Sequence, residues 1–439
     1  YNIKGSNIRV KRTYKEYTVD SVAKPIITGI SIGDKVSKGV VRVITDVKKM
    51  GDFKKGEILV TKMTDPDWNA ILTMSSAVIT DEGGKTCHSA IISRELGIPA
   101  IVGTKDATKK LKTGDIVTVD CSSGQIGRVL EGDVPFSVKE YNLEEMPQIN
   151  TKITLNIGAP DTAFKASFLP NDGVGLAREE FIIAEKVRIH PMALIDYDNV
   201  LLTKEEREIA DDLTREYSDK KEYFIHELAE GIAQIAAAFY PKKVIVRFSD
   251  FKTNEYRNLI GGRLFEGEES NPMLGFRGAC RYIDKSFQPA FEMECKAIKR
   301  VREVFGLTNV CVMVPFCRTV EEGKQVVDLI REFGLNDDVP VYVMCEIPSN
   351  VILAEQFLEI FDGMSIGSND LTQLTLGLDR DNGGLAHIGN ENNEAVKKLI
   401  RRVIKICKEK NKYCGICGQA PSDYPEFAKF LVEEGIESI

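Results

Sequence analysis

From about residue 151 onward the sequence keeps one rhythm. A short apolar run of strand length is followed by a longer amphipathic segment, and the pair repeats. The runs are ITLNIG (153–158), GVGLA (173–177), KVIVRF (243–248), GFRGACRY (275–282), NVCVMVPF (309–316), VYVMCEIP (341–348), GMSIGSND (363–370) and YCGICGQ (413–419). Helical stretches such as KKEYFIHELAEGIAQIAAAF (220–239) and NEAVKKLIRRVIKICKE (393–409) lie between them. Eight strands alternating with helices predict a (β/α)8 barrel over residues 153–439. The fourth run fits a strand least well. The chain ends at GIESI, just after the helix-like YPEFAKFLVEEG, so the outer helical ring is expected to be truncated at the C-terminus.

Residues 1–150 have a different grain. Short β-type runs broken by glycine, such as GVVRVIT (39–45), GEILVTK (56–62), SAVITD (76–81) and GDIVTVD (114–120), predict a compact β/α domain over residues 1–135. One helix interrupts them. It is expected to begin near Thr86, to carry HSAIISREL and to stop at Gly97, between a hydroxyl N-cap and a glycine C′. Residues 136–152 read as the linker between the halves.

Composition narrows the function classes. A net charge of −8 argues against a general nucleic-acid surface. No apolar stretch approaches the roughly 20 residues of a membrane span. No charged-then-apolar leader opens the chain, and most of the ten cysteines sit in apolar runs, which points to a reducing, cytoplasmic setting. The chain starts at Tyr1 rather than Met and is expected to be a piece of a longer polypeptide. Cys414 and Cys417 form a C-x-x-C, but no second ligand pair accompanies them.

In a barrel of this kind the chemistry sits at the C-terminal ends of the strands. Those ends offer Arg178, Arg247, Arg277, Glu346, Asn369, Asp370 and Cys417. Glu346 and Asp370 are 24 residues apart, about one βα unit, so their carboxylates belong on neighbouring strand ends. Two hard oxygen ligands with room for water and substrate suit Mg²⁺. Three guanidiniums around them describe a pocket for a small, oxygen-rich anion. The first domain carries a second signal, TDEGGKTCHSAIISRELGIPAIVG (80–103). His88 lies in the first turn of its helix, after Gly83 and Gly84, where a phosphoryl group on the imidazole would meet N-terminal amides and the positive end of the dipole.

These residues resemble a known family. GGKTCHSAIISRELGIPAIVG resembles the phosphohistidine segment of the phosphoenolpyruvate-utilising enzymes. LAREEF, NPMLGFR, EIPSN, SIGSNDLTQLTLGLDRD and GICGQAPSD resemble their barrel motifs in the same order. The resemblance implies an α/β chain with a swivelling β/β/α phosphohistidine domain followed by a (β/α)8 TIM-type barrel. Within the family, TCHSAI and CGQAPSD look most like the branch that turns ATP, pyruvate and water into AMP, phosphoenolpyruvate and phosphate. By the same resemblance, His88 carries the phosphoryl group to pyruvate, and Mg²⁺ sits on Glu346 and Asp370. Arg178 and Arg247 neutralise the moving phosphoryl, with Arg277 and Arg380 as further contributors. Gly367, Ser368 and Asn369 hold the substrate carboxylate and carbonyl. Cys417 moves the proton at the methyl carbon; strand alternation at the end of the eighth run places Cys414 on the other face, as a core residue. Thr86 is a possible regulatory phosphorylation site.

The relatives carry an ATP-grasp domain upstream of the histidine, for which the 87 residues before His88 leave no room. ATP is therefore expected to act through a missing N-terminal domain. A homodimer or higher homo-oligomer is the expected assembly. Two alternatives remain at this point. One is a phosphoenolpyruvate-dependent protein phosphotransferase like enzyme I of the sugar phosphotransferase system. The other is a non-catalytic assembly protein with the same fold.

Overall fold

The computed structural model describes residues 13–19, 24–46, 51, 53–84, 87–122, 126–142, 149–378 and 388–439. The chain divides into two compact units, Tyr1–Met146 and Pro147–Ile439. The described strands of the first unit are β1 (Thr13–Val19), β2 (Ile27–Ile32), β3 (Val36–Val43), β4 (Ile58–Thr61), β5 (Ala77–Thr80), β6 (Ala100–Val102), β7 (Ile116–Asp120), β8 (Ile126–Glu131) and β9 (Phe136–Asn142). Strands β2 to β8 close into a barrel in the order β2-β6-β5-β4-β3-β7-β8. Val41, Ile58, Val60, Ile79, Val117 and Val129 belong to its buried apolar core. Strand β9 pairs antiparallel with β1 along its full length, so residues 136–142, expected as linker, are strand. The helix expected from Thr86 begins instead at His88 (His88–Leu96). Cys87 is the N-cap and offers no side-chain hydrogen bond, and Thr86 lies outside the described residues. Gly97 ends the helix in the left-handed conformation, φ 65°.

The second unit is built on a parallel sheet of β10 (Leu155–Ile157), β11 (Gly173–Arg178), β12 (Lys243–Arg247), β13 (Val310–Val314), β14 (Val341–Cys345), β15 (Gly363–Ile366) and β16 (Tyr413–Ile416), paired in chain order. The ring is completed by the last residues of the chain. Ser438 bridges in parallel to Gly415 on one side and to Lys152 on the other. Lys152 N–H donates to Glu437 O at 2.8 Å, and Thr154 N–H to Ile439 O at 2.7 Å. The fourth expected strand is therefore wrong. Residues 275–282 are a loop running into the helix Ala279–Ile283, and β12 pairs directly with β13. Gly278 at φ +64° turns the chain there, in a conformation that strand pairing cannot use. The eighth stave, in GIESI, is too short and too polar to stand out as an apolar run.

Within the apolar strands a two-residue period separates two faces. Ile245, Cys311, Met313, Tyr342 and Met344 pack together with Cys417 inside the ring. Their neighbours Val244, Val246, Val312, Val343 and Cys345 join the outer core against the helices. Continuing the inner row of β12, β14 and β16 toward their C-terminal ends reaches Arg247, Glu346 and Cys417 at the mouth of the ring.

Candidate active site

A cavity of about 550 Å³ opens at that mouth. Its wall includes Arg178, Arg247, Arg277, Glu346, Asp370 and Cys417, so six strand-end residues expected at the site converge on one space. Gly367 and the exposed Asn369 also line it. Ser368 does not: it is fully buried and its hydroxyl donates to Glu391. Arg380 lies outside the described residues.

The guanidiniums are held rigidly. Arg277 comes from the loop that replaces the expected fourth strand and is 3% exposed. It grips Asp250 through two bonds, Nε to Oδ1 at 2.9 Å and Nη2 to Oδ2 at 2.7 Å, and lies 3.5 Å from Asp370. Arg247 donates to Glu180 at 2.7 Å and lies 3.4 Å from Asp250. Burial alone would lower the pKa values of both arginines. The carboxylates around them, Glu180 and Asp250 for Arg247 and Asp250 and Asp370 for Arg277, reverse the sign and hold both groups charged. Burial likewise works against the Asp250 carboxylate, but Arg277 and Arg247 keep its pKa below the ordinary range. Asp250 and Glu180 were missed in the sequence. They follow Arg247 and Arg178 closely in the chain, and an acidic residue within a turn of a buried arginine was the available signal.

Glu346 is fully buried. Its Oε1 accepts the amide of Phe316 at 2.7 Å, whereas its Oε2 has no hydrogen-bond partner. Burial, then the charges of Asp370 and Asp250, push its carboxyl up to about 8. A buried carboxylate oxygen without a donor is costly unless a cation or a proton meets it. Gly367 keeps the space beside it clear: a Cβ there would stand 2.8 Å from Glu346 Oε2 and 2.9 Å from the methyl of Met344. Among the described residues of the wall, six carboxylates face four cationic side chains. The donor set and the charge balance both suit a divalent, oxygen-seeking cation.

Cys417 is 7% exposed, and its thiol lies 3.6 Å from the carbonyl of Ile366. Burial raises its pKa, against the opposing pull of Ser365, Arg247 and Arg178, so the group is a protonated thiol at neutral pH. Cys414 sits in the outer core on the other face of the same strand, and none of the ten cysteines is in a disulfide. The C-x-x-C is thus two unrelated thiols.

In the first unit, half-buried His88 stands at the start of its helix, with Nδ1 3.0 Å from the hydroxyl of Thr64. Gly83, at φ +115°, lies against it in sequence; a Cβ there would meet the Cys87 sulfur at 2.7 Å.

Comparison with known proteins identifies the family. Residues 137–439 match the PEP-binding domain of PEP-utilising enzymes, and residues 53–124 match their mobile domain. The chain is 52% identical to the phosphoenolpyruvate synthase of Aquifex aeolicus, over 98% of its own length and 56% of that protein. It is 51% identical to the Escherichia coli phosphoenolpyruvate synthase, over 97% of its length and 54% of the relative. It thus spans about half the length of these relatives. No described helix is long and apolar enough to cross a membrane. With the matched domains covering both units in the order of its own motifs, this chain belongs to the phosphoenolpyruvate-utilising enzymes.

Proposed function

We propose that these residues carry the pyruvate half of a phosphoenolpyruvate synthase reaction, in which a phosphoryl group moves between His88 and the enolate oxygen of pyruvate. One observation carries this reading: an orphaned, buried carboxyl oxygen, two carboxylate-locked guanidiniums and a protonated thiol line the same cavity. Glu346 and Asp370 would hold Mg²⁺, which when bound supplies positive charge to an oxygen that becomes an enolate. Arg247 and Arg178 meet the transferring phosphoryl. Because Arg247 is already fixed by Glu180, it needs no rearrangement as charge develops. Asn369, at the start of the helix Ser368–Leu376, orients the substrate carboxylate or carbonyl.

Written toward pyruvate, the P–O bond of phosphoenolpyruvate breaks as a P–N bond forms on His88. A Thr64 hydroxyl that accepts from Nδ1–H leaves the Nε2 lone pair as the nucleophile. The enolate's electron pair then takes the proton from the Cys417 thiol at the methylene carbon, which becomes methyl. The thiolate is reprotonated from solvent. ATP enters through parts of the full-length relatives beyond these residues, and association of two copies is the expected assembly.

The test is single-turnover transfer from labelled phosphoenolpyruvate with Mg²⁺. Acid-labile label on His88 and one equivalent of pyruvate are expected. Cys417→Ser should slow pyruvate formation about 10³-fold with metal affinity unchanged, whereas Cys414→Ser stays within about twofold. Equal losses in both variants, or no label at all, would overturn the reading.

A further inference from the structure

The loop after β13 supplies no residue to the cavity wall, yet it touches both halves of the site. Phe316 has φ +43°, a left-handed conformation that a bulky side chain rarely adopts. That turn aims its amide at Glu346 Oε1, 2.7 Å away. The same turn brings its ring within 4.1 Å of the Arg277 guanidinium carbon and 4.7 Å of that of Arg318. Arg318 in turn braces the irregular segment that carries Arg277. Its Nη2 donates to the carbonyls of Gly275 at 2.6 Å and Leu274 at 3.3 Å. Its Nη1 donates to the Arg277 carbonyl at 3.3 Å and meets the Cys280 sulfur at 3.1 Å. Gly278 permits the approach: a Cβ there would lie 2.6 Å from the carbonyl oxygen of Pro315 and 2.7 Å from Cβ of Phe316. Ser349 and Asn350, just beyond Glu346, donate back to the carbonyls of Arg318 and Cys317.

The geometry points to Phe316 and Arg318 as positioning residues that bracket Arg277 against Glu346, setting the distance between the anion-binding guanidinium and the cation-binding carboxylate. Neither lines the cavity. The carbonyls of Leu274, Gly275 and Arg277 have no strand partner, and the planar fork of one arginine donates to all three. The Phe316 ring stands within cation–π range of both guanidiniums and attracts both. The bracket therefore ties anion affinity to metal affinity through a rigid segment rather than through the ligand alone.

Two measurements test this on the full chain. The first needs no ligand: hydrogen exchange at the Nε–H of Arg277, followed by NMR. In the wild type this proton is bonded to Asp250 and expected to be protected. In Arg318→Met it should exchange at least about tenfold faster. The second is the kinetic split for phosphoenolpyruvate, which rests on the function proposed above. Arg318→Met should raise KM about 10- to 100-fold with a smaller change in kcat, and it should add little in an Arg277→Met background. Arg318→Lys, which keeps charge without the fork, should fall between. Should Arg318→Met not fold, Phe316→Leu is read in the same two assays, with changes in the same direction. Unchanged Arg277 exchange, or losses that multiply in the double variant, would overturn the bracket. A wild type inert toward phosphoenolpyruvate would overturn the proposed function, and the exchange measurement would still decide the bracket.

Discussion

The two units solve opposite problems with the same elements. His88 stands half-buried at a helix start, and among the described residues its ring has one hydrogen-bond partner, Thr64. The barrel mouth buries Arg247, Arg277, Asp250 and Glu346 in a mesh where most groups have two or more charged neighbours. A carrier must take its cargo and release it, so few contacts and open access serve it. A pocket that stabilises migrating charge must have its dipoles and charges set beforehand, because reorganising them during the reaction raises the barrier. Under the function proposed above, the sparse site should therefore tolerate substitution around His88. The dense one should fail wherever a charge is removed.

The largest expected effect breaks the dense site. Arg247→Met leaves Glu180 and part of Asp250 without their cation, and Glu180 Oε2 already lacks a hydrogen-bond partner. Transfer from phosphoenolpyruvate should fall about 10³-fold. Chemical denaturation should show a loss of about 3 kcal/mol, the usual scale for stranding a buried charge.

A pH titration sharpens the comparison next. Glu346 is raised to about 8 in the folded chain, above its unfolded value. The folded state therefore holds more protons than the unfolded state between roughly pH 4.3 and 8, and stability contributed by this group falls as pH rises through that window. Metal binding needs the deprotonated carboxylate, so Mg²⁺ affinity should rise over the same range. Calorimetry should find Mg²⁺ raising Tm at about pH 8 and far less at about pH 6, with Glu346→Gln flattening both responses. A pH-independent Mg²⁺ shift would show that Glu346 is not the ligand.

Two smaller effects probe each side. At the carrier, Thr64→Val should slow labelling of His88 about tenfold, the scale of one lost hydrogen bond. Phosphoenolpyruvate affinity, measured on a His88→Ala background, should stay the same. In the second unit, Glu179 is fully buried and its carboxyl lies against that of Glu294. Burial first, then Glu294 and Glu180, raises its pKa well above the ordinary carboxylate range. Glu179→Gln cannot ionise. Its Tm should therefore fall less than that of the wild type as pH rises above the ordinary carboxylate range of about 4.3.

Much of this was legible in one dimension. Strand ends of a βα array converge, so Arg178, Arg247, Glu346, Asp370 and Cys417 were readable as one site from their places after apolar runs. The misses share one physical cause. The segment 275–282 has the residues of a strand but turns at Gly278. The stave at Glu437–Ile439 carries no apolar run and exists because two neighbours hold its backbone. Phe316 and Arg318 matter through partners far away in sequence, which no local pattern displays.

By itself, then, the sequence determined the alternation of strand and helix, the phosphohistidine segment and the identities of the groups at the barrel mouth. These follow from local periodicity and motif chemistry. Only the tertiary structure decided which stave closes the ring, that Arg277 comes from a loop rather than a strand, and that Glu346 holds one oxygen without a partner. Those facts depend on closure, burial and the charges brought within a few ångströms, and burial and charge set protonation only once the ring has formed.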